Sequence, residues 1–123
     1  MSLAVSDAVS RVLGLALDGV TERQRVTADN ISNVDTPGFR AMNVDFETSL
    51  RQAVEGGDIT ATSDGNMRVE AAPTDTPVGA NGNNVDLRKE TLAAVQTQYQ
   101  YQMLSRAVND RFTMVRDSIG GAA

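Results

Sequence analysis

The sequence predicts a mainly α-helical protein in which two long terminal helices pair as an antiparallel coiled coil. Two observations support this fold class. Apolar residues recur at three- and four-residue spacings near both chain ends, which is typical of amphipathic helices. Neither end is apolar on all sides, so each helix has one face to bury, and the other chain end can supply the matching surface. A length of 123 residues fits a single domain, 1–123.

The first helix is predicted over residues 3–31. Its apolar stripe includes four residues that we expect in the seam between the helices: Val9, Leu13, Ala16 and Val20. Polar residues 21–25 interrupt the stripe, and β-branched residues lower the intrinsic helix propensity. We therefore expect packing, within the chain or between subunits, to stabilise this helix.

The last helix is predicted over residues 86–119. Asp86 is a suitable N-cap, and Gly120-Gly121 marks the end of the helix. The predicted seam consists of apolar residues at four-, four-, three- and four-residue spacings: Leu104, Val108, Phe112, Val115 and Ile119. The stripe is extended towards the start of the helix by Leu92, Val95, Tyr99 and Met103.

One short helix is predicted inside the middle region, residues 32–85. It covers residues 43–55, because Phe46, Leu50 and the following small apolar residues fall on one face. Gly56-Gly57 ends the pattern, as glycines do after a helix.

The rest of the middle region is predicted to contain little regular structure. Asp64-Gly65 is a turn signal with partly alternating neighbours, which predicts a small hairpin. Residues 71–84 are rich in Ala, Pro, Gly and Asn and have no periodicity, which predicts a loop or flexible segment.

The chain contains no His and no Cys, and this excludes more function classes than any other feature. Catalytic triads with an imidazole base, thiol chemistry and structural zinc sites all need one of these residues. Carboxylate pairs such as Asp35 with Asp45 remain, but no pattern indicates a pocket or an aromatic platform for a sugar. We expect no enzyme activity, no cofactor and no metal.

The net charge is -5, and the 11 Lys and Arg residues are scattered singly. Binding to a nucleic acid needs a basic footprint, so we expect no nucleic-acid partner. The longest apolar run, residues 12–17, is far shorter than the roughly 20 residues that span a bilayer. The N-terminus lacks the basic and hydrophobic regions of a cleaved signal peptide, so we expect no direct membrane span and no cleaved signal.

The most distinctive segment is ADNISNVDTPGF, residues 28–39. Its polar side chains can bond to nearby backbone, proline disfavours the α conformation at the preceding threonine, and glycine tolerates positive φ. These features predict a helix end followed by a tight turn, and residue chemistry alone is equally consistent with an ordinary turn. The residues singled out here are Asn30, Ile31, Asn33, Asp35, Thr36, Pro37, Gly38 and Phe39.

This segment resembles the N-terminal signature of flagellar rod, hook and hook-associated proteins, commonly written ANNIANxxTxGY/F. The Asn-Ile-x-Asn core and the Thr-x-Gly-aromatic ending both match. The DTPG turn, the Val-Asp-Phe run at 44–46 and GNNVDL at 82–87 resemble the proximal branch of the flagellar basal-body rod family. One departure is Thr97, where relatives often have Asn. The resemblance adds five signature residues: Asp45, Phe46, Asn83, Asn84 and Asp86.

The resemblance implies a structural subunit of the proximal rod, which transmits torque as part of the axial drive shaft. It implies that the terminal helices form the inner tubular layer. The implied partners are copies of the chain, other rod subunits, proteins of the membrane-ring or export-gate junction, and the flagellar type III export apparatus. The implied location is the periplasmic rod of the basal body, reached without a cleaved signal peptide.

Two other interpretations remain open at this point. The chain resembles other axial-family rod subunits as well, and a soluble helical adaptor or export chaperone fits the same helical pattern. An adaptor predicts full protection of the terminal helices in the isolated chain, whereas a rod subunit predicts frayed ends. A calcium site in the oxygen-rich run 81–86 is disfavoured, because the EF-hand glutamate is missing and the charge is low.

Overall fold

The computed structural model describes residues 3–60, 62–65 and 67–120, with side chains from residue 7 onward. The elements in chain order are α1 (Leu3–Ser32), β1 (Met42–Val44), α2 (Phe46–Glu55), β2 (Ala71–Pro73) and α3 (Leu87–Gly120). The predicted mainly helical fold with two long terminal helices is confirmed. Of the four ends of these helices, one agrees with the prediction and the other three differ from it by one residue. Gly121, half of the predicted stop signal, lies outside the described residues.

The long helices α1 and α3 pack side by side and run in opposite directions. Arg111 Nε donates to Ser10 Oγ at 3.4 Å, and Arg23 donates to Gln100 at 3.0 Å. As numbers rise along α1, the partner numbers fall along α3, so the pair is antiparallel as predicted. No helix in the described part of the chain is long and apolar enough to cross a membrane.

The face of α3 that meets α1 repeats every seven residues. Glu90 and Thr97 are buried on this face, and Leu104 and Arg111 are half-buried. Positions seven residues apart fall on the same side of a helix, and this repeat is the pattern of a coiled-coil seam. The seam is therefore real, but two of these four side chains are charged and one carries a hydroxyl.

A small apolar core lies where α2 crosses the helix pair. Phe46, the first residue of α2, is 5% exposed, and its ring packs directly on α1 at Gly19. The buried members of the core are Ala16, Val20, Val26, Val44 and Phe46. The core is built mostly from valine and alanine, which agrees with the shortage of aromatic residues in the sequence.

The start of α2 differs from the prediction. The residues at 43 and 44 belong to β1, and the helix begins only at Phe46, because Asp45 caps it. The Asp45 carboxylate accepts hydrogen bonds from the backbone N and the hydroxyl of Thr48, at 3.3 and 3.1 Å. A side-chain acceptor at this position satisfies a free N–H of the first turn and fixes where the helix starts.

The strand pair is formed by other residues than the predicted hairpin. β1 pairs antiparallel with β2, with Met42 opposite Pro73 and Val44 opposite Ala71. Around Asp64-Gly65, the described residues form a single bridge, between Thr60 and Ser63. Residues 71–84 were expected to be a loop or flexible segment, yet they begin with a strand, because the backbone of β1 offers it hydrogen-bonding partners that local sequence cannot reveal.

Candidate assembly site

Three asparagines hold the loops together at one end of the helix pair. Asn30, Asn83 and Asn84 are 1%, 8% and 5% exposed. Together with the turn at residues 33–39 they form what we call the asparagine junction. Buried amides need partners for both their oxygen and their nitrogen, so their contacts show what each asparagine does.

Asn30 joins the end of α1 to the start of β1. Its Oδ1 accepts from the backbone N of Met42 at 3.1 Å, and its Nδ2 donates to the carbonyl oxygen of Met42 at 2.7 Å. The side chain therefore pairs with one residue in the way a neighbouring strand would. This contact holds the start of β1 against the end of α1 after the turn.

Asn83 holds the turn itself. Its Nδ2 donates to the carbonyl oxygens of Asn33 and Thr36, both at 2.8 Å. Its Oδ1 accepts from the backbone N of Val85 at 2.7 Å. One side chain thus adds a second donor to two carbonyls of the turn, which also accept from the backbone N of Thr36 and Phe39.

Asn84 connects the same turn to the segment that follows β2. Its Oδ1 accepts from the backbone N of Ala41 at 2.6 Å, and its Nδ2 donates to the carbonyl oxygen of Thr76 at 3.2 Å. Its own backbone N donates to the carbonyl oxygen of Phe39 at 3.3 Å. Asn83 and Asn84, adjacent in sequence, therefore tie together three loop segments that lie far apart along the chain.

Two glycines let the loop backbones approach closely. Gly38 and Gly82 have φ angles of 77° and 80°, a region that favours glycine. A Cβ added to Gly82 would lie 3.2 Å from the Cα of Gly38, and Gly38 N donates to the carbonyl oxygen of Asn81 at 2.9 Å. The predicted positive φ at Gly38 is confirmed, and Gly82 is a second such position.

The outer face of the junction stays accessible. Asp35, Thr36 and Pro37 are exposed at the tip of the turn, while Ile31 and Phe39 are half-buried beside it. Asn33 accepts from the Thr36 hydroxyl at 3.1 Å, which stiffens the tip. The signature residues of the turn and of the segment before α3 are thus brought together, with amides inside and a rigid turn outside. Asp45 and Phe46, predicted in the same set, lie apart from the junction, at the start of α2.

Asp86 closes the junction by starting α3. Its Oδ1 accepts from the backbone N of Arg88 at 3.1 Å and of Lys89 at 3.2 Å. The predicted N-cap is confirmed. The oxygen-rich run before it is occupied by hydrogen bonds to backbone, and within the described residues no three acidic side chains are grouped to hold a metal.

The predicted seam residues divide into two groups. Ala16 and Val20 are buried, and Leu13, Leu104 and Val108 are half-buried. The more exposed predicted members lie towards the free ends of the helices, with these exposed fractions: Val9 38%, Val115 42%, Phe112 73% and Ile119 73%. The single chain therefore covers the predicted seam residues only towards the junction. The predicted extension of the α3 stripe is wrong, because its four members face solvent, with these exposed fractions: Leu92 58%, Val95 49%, Tyr99 64% and Met103 66%.

Thr97, the departure from the family pattern, lies inside the seam. Its side chain is 1% exposed, and its hydroxyl donates to the carbonyl oxygen of Ala93 at 2.6 Å in the same helix. A buried hydroxyl with this bond needs no partner on α1.

Sequence reasoning missed Arg23. Its guanidinium donates to the carbonyl oxygen of Val44 from Nε and Nη2, at 3.1 and 2.7 Å, and to Glu47 at 2.6 Å. Its central carbon lies 4.8 Å from the ring centroid of Phe46. Because another donor group reaches Gln100, this side chain joins α1 to β1, α2 and α3. The only available signal was its position inside the polar interruption of the α1 stripe.

Gly19 was missed as well. A Cβ at this position would overlap the ring of Phe46, with 2.6 Å to Cδ2. Glycine in the middle of a helix lowers helix propensity, so its presence here is explained by the close approach of α2. A glycine inside an amphipathic pattern was the signal that could have found this contact.

An exposed ion pair lies on α1 next to this region. Arg25 donates three close hydrogen bonds to Glu22, one turn earlier, and these bonds lower the pKa of the Glu22 carboxyl. The same bonds raise the pKa of the Arg25 guanidinium. Both groups keep their charges near neutral pH, so the pair is a solvated surface feature and not a titrating switch.

The comparisons with known proteins agree with this architecture. The model of the family described as flagella basal body rod protein matches residues 17–40, which run from the second half of α1 through the turn. The flagellar basal body rod protein FlgB of Bacillus subtilis (strain 168) is 32% identical over 115 residues, covering 86% of this chain and 88% of the relative.

Further relatives carry the same description. FlgB of Escherichia coli (strain K12) is 32% identical over 120 residues, covering 84% of this chain and 86% of the relative. FlgB of Borreliella burgdorferi is 29% identical over 106 residues, covering 72% of this chain and 78% of the relative. Since the similarity spans both terminal helices and the junction between them, the chain belongs to the FlgB family of flagellar basal body rod proteins.

Proposed function

We propose that this chain is a non-catalytic subunit of the proximal flagellar rod and transmits torque as part of the axial drive shaft. The observation that carries the proposal is the contrast along the helix pair. The three buried asparagines of the junction bond to backbone within one chain, whereas Phe112 and Ile119 at the other end are each 73% exposed. Apolar side chains at that exposure are stabilised when neighbouring subunits cover them.

The proposed partners follow from the family. They are copies of this chain, other rod subunits, and proteins at the membrane-ring or export-gate junction. Before assembly, the chain passes the flagellar type III export apparatus without a cleaved signal peptide and reaches the periplasmic part of the basal body. A small core of valine and alanine suits this route, because a marginally stable monomer unfolds readily for passage.

The asparagine junction has a mechanical role in this proposal. A torque-bearing subunit has to keep its loop end rigid while the helix pair is held by neighbours. Asn83 and Asn84 link three loop segments with side-chain bonds to backbone, so a load on the turn is shared with the start of α3 and with the segment that follows β2.

Deletion of the gene, followed by electron microscopy of purified basal bodies, tests the proposed function. We expect basal bodies that stop at the membrane ring, without a rod, and full recovery when the wild-type gene is returned. Intact rods in the deletion strain would contradict the proposal.

A Gly38→Val variant separates assembly from export. Its strained turn affects the folded junction and not the unfolded chain in transit, so we expect normal amounts outside the cytoplasm but few motile cells. Gly38→Asn, which tolerates positive φ better, is the matched control. Motility equal to wild type in the Gly38→Val strain would refute the assigned role of the turn.

A further inference from the structure

One asparagine beside the junction is followed by a glycine. Among the asparagines of the chain, only Asn81 has this neighbour, Gly82. Asparagine is one of the thermolabile residues of proteins. Its side-chain carbon Cγ can be attacked by the backbone nitrogen of the next residue, and a glycine, which has no Cβ, leaves that approach open. Asn81 is also exposed, so water reaches it. The attack is therefore expected at this pair before any other asparagine of the chain.

The reaction at such a pair is a cyclisation followed by hydrolysis. The backbone nitrogen of Gly82 bonds to Cγ of Asn81, the Cγ–Nδ2 bond breaks, and ammonia leaves with the proton of the Gly82 amide. Water then opens the five-membered imide at one of its two carbonyl groups. One opening gives aspartate, and the other gives isoaspartate, in which the main chain runs through Cγ. Either product has exchanged ammonia for water and carries one more negative charge near neutral pH.

The fold restrains the nitrogen that would attack. The backbone N of Gly82 donates to the carbonyl oxygen of Gly79 at 3.0 Å. The nitrogen has to lose its proton before it can bond to Cγ, so this hydrogen bond has to open first. Opening of a hydrogen-bonded loop costs free energy, and the reaction is slowed by the same factor.

Further hydrogen bonds close the loop around the pair. The backbone N of Asn83 donates to Asn81 Oδ1 at 3.2 Å, and Gly79 N donates to the carbonyl oxygen of Asn83 at 2.8 Å. A donor at Oδ1 stabilises charge on that oxygen during attack, so the protection comes from the bonded Gly82 nitrogen and not from the side-chain amide. The Asn83 side chain is in turn held by the turn at residues 33–39. Opening at Gly82 therefore disturbs the asparagine junction.

The junction uses the part of the Asn81 backbone that isoaspartate alters. Gly38 N donates to the carbonyl oxygen of Asn81 at 2.9 Å, and a Cβ added to Gly82 would lie 3.2 Å from the Cα of Gly38. Isoaspartate adds one carbon atom to the main chain before Gly82 and turns the α-carbonyl into a free carboxylate. The bond to Gly38 and the close approach of the two glycines then cannot both be kept. Aspartate, by contrast, leaves the backbone unchanged.

We propose that Asn81 is a site of spontaneous deamidation and that the folded junction protects it. In the unfolded chain the Gly82 nitrogen lacks its contact with Gly79 and attacks Asn81. The isoaspartate that follows prevents the junction from closing. In the folded chain the same pair stays intact. The junction thus has a chemical role besides its proposed mechanical one, and this role does not depend on the rod function.

The test compares the full-length chain folded in buffer with the same chain unfolded in guanidinium chloride, at one temperature and one mildly alkaline pH. Circular dichroism verifies the two states, and peptide mapping by mass spectrometry follows each asparagine over time. We expect deamidation at Asn81 to be at least about tenfold slower in the folded chain. In the unfolded chain, Asn81 should react before Asn109, which precedes an aspartate. Equal rates at Asn81 in the two states, or a faster reaction at Asn109 in the unfolded chain, would overturn the proposal.

A variant of the junction tests where the protection comes from. Asn83→Ala keeps the backbone bonds of the loop but removes the side-chain bonds to the turn. We expect the folded variant to deamidate at Asn81 several-fold faster than the folded wild-type chain. A rate equal to that of the wild type would refute the protective role of the junction.

The consequence of the modification is measured separately. Chains with isoaspartate at position 81 are separated by chromatography from aged, unfolded protein and returned to buffer. Asn81→Asp is the matched control, since it carries the same charge on a normal backbone. We expect a denaturation midpoint close to wild type for Asn81→Asp and a clearly lower one for the isoaspartate chain. Coinciding midpoints for these two chains would show that isoaspartate does not hinder the junction.

Discussion

The two ends of the helix pair differ in how far one chain can complete them. At the junction end, three asparagines less than a tenth exposed bond to the backbone of the surrounding loops. At the free end, Phe112 and Ile119 remain 73% exposed although they follow the same helical periodicity as the buried seam. Polar contacts between loops are formed inside the subunit, and apolar contacts between helices are left for neighbours. This division is expected of a subunit that is completed by its neighbours in an assembly.

The largest effect is expected at the contact between α1 and α2. In Gly19→Ala, the new methyl group overlaps the Phe46 ring, so α2 must shift away from α1. We expect a loss of about 3 kcal/mol in unfolding free energy, at the upper end for overpacked sites. Chemical denaturation followed by circular dichroism measures it.

Gly14→Ala is the matched control on the same helix. Nothing lies within 4 Å of a Cβ at Gly14, so the substitution only improves helix propensity, by up to about 1 kcal/mol. Equal stability of the two variants would show that the close approach of Phe46 does not fix the position of α2.

The next effect is expected within the junction. Asn83→Ala removes three side-chain hydrogen bonds and leaves the carbonyls of Asn33 and Thr36 without this donor. We expect a loss of about 2 kcal/mol, measured by thermal or chemical denaturation. Asn109→Ala is the control, since Asn109 is exposed and makes no side-chain hydrogen bond to another described residue. If both variants were equally stable, the junction would not contribute to holding the loops.

A smaller effect is expected at the turn. Gly38→Val forces a β-branched residue to a φ of 77°, although nothing lies within 4 Å of the added Cβ. The cost is therefore backbone strain without a clash, and we expect about 1 to 2 kcal/mol. Gly38→Asn should lose less than half of that. Denaturation curves that coincide for the two variants would mean that the turn relaxes to another conformation.

The elements that could be predicted from the sequence are those with strong local signals. Periodicity placed both terminal helices to within a residue, Asp86 was recognised as a cap, and the segment around Asn30 identified the turn. The strand pair could not be predicted in the same way. β1 and β2 are three residues each and their pairing joins positions about thirty residues apart, so no local pattern carries it.

The candidate site could be predicted from the sequence only in part, for a similar reason. Asn83 and Asn84 could be singled out from the family resemblance, but their partners are carbonyl groups, which have no sequence signature. Arg23 looked like part of a polar interruption, yet its guanidinium donates hydrogen bonds to residues of two other helices and a strand. Long-range contacts made by one side chain to backbone are set by the fold and cannot be inferred from spacing.

The smallest effect on the isolated chain is expected at the free end. Phe112→Ser changes a side chain that is 73% exposed, so we expect a stability change within about 0.5 kcal/mol. In cells, the same variant should assemble poorly and reduce swimming, because the free end of α3 loses its largest exposed apolar side chain. Leu104→Ser, in the half-buried part of the seam, should instead destabilise the chain itself. A Phe112→Ser chain as unstable as Leu104→Ser would contradict the contrast between the two ends.

Hydrogen exchange of the isolated chain, read residue by residue, tests this contrast most directly. Amides of α3 between residues 90 and 104 should be protected, since this half of the helix is packed against α1 and the core. Amides between residues 108 and 120 should exchange at least about tenfold faster, because most side chains at this end of α3 are exposed and do not hold the helix against the rest of the chain. Uniform protection along the whole of α3 would show that the single chain completes both ends by itself and needs no neighbours.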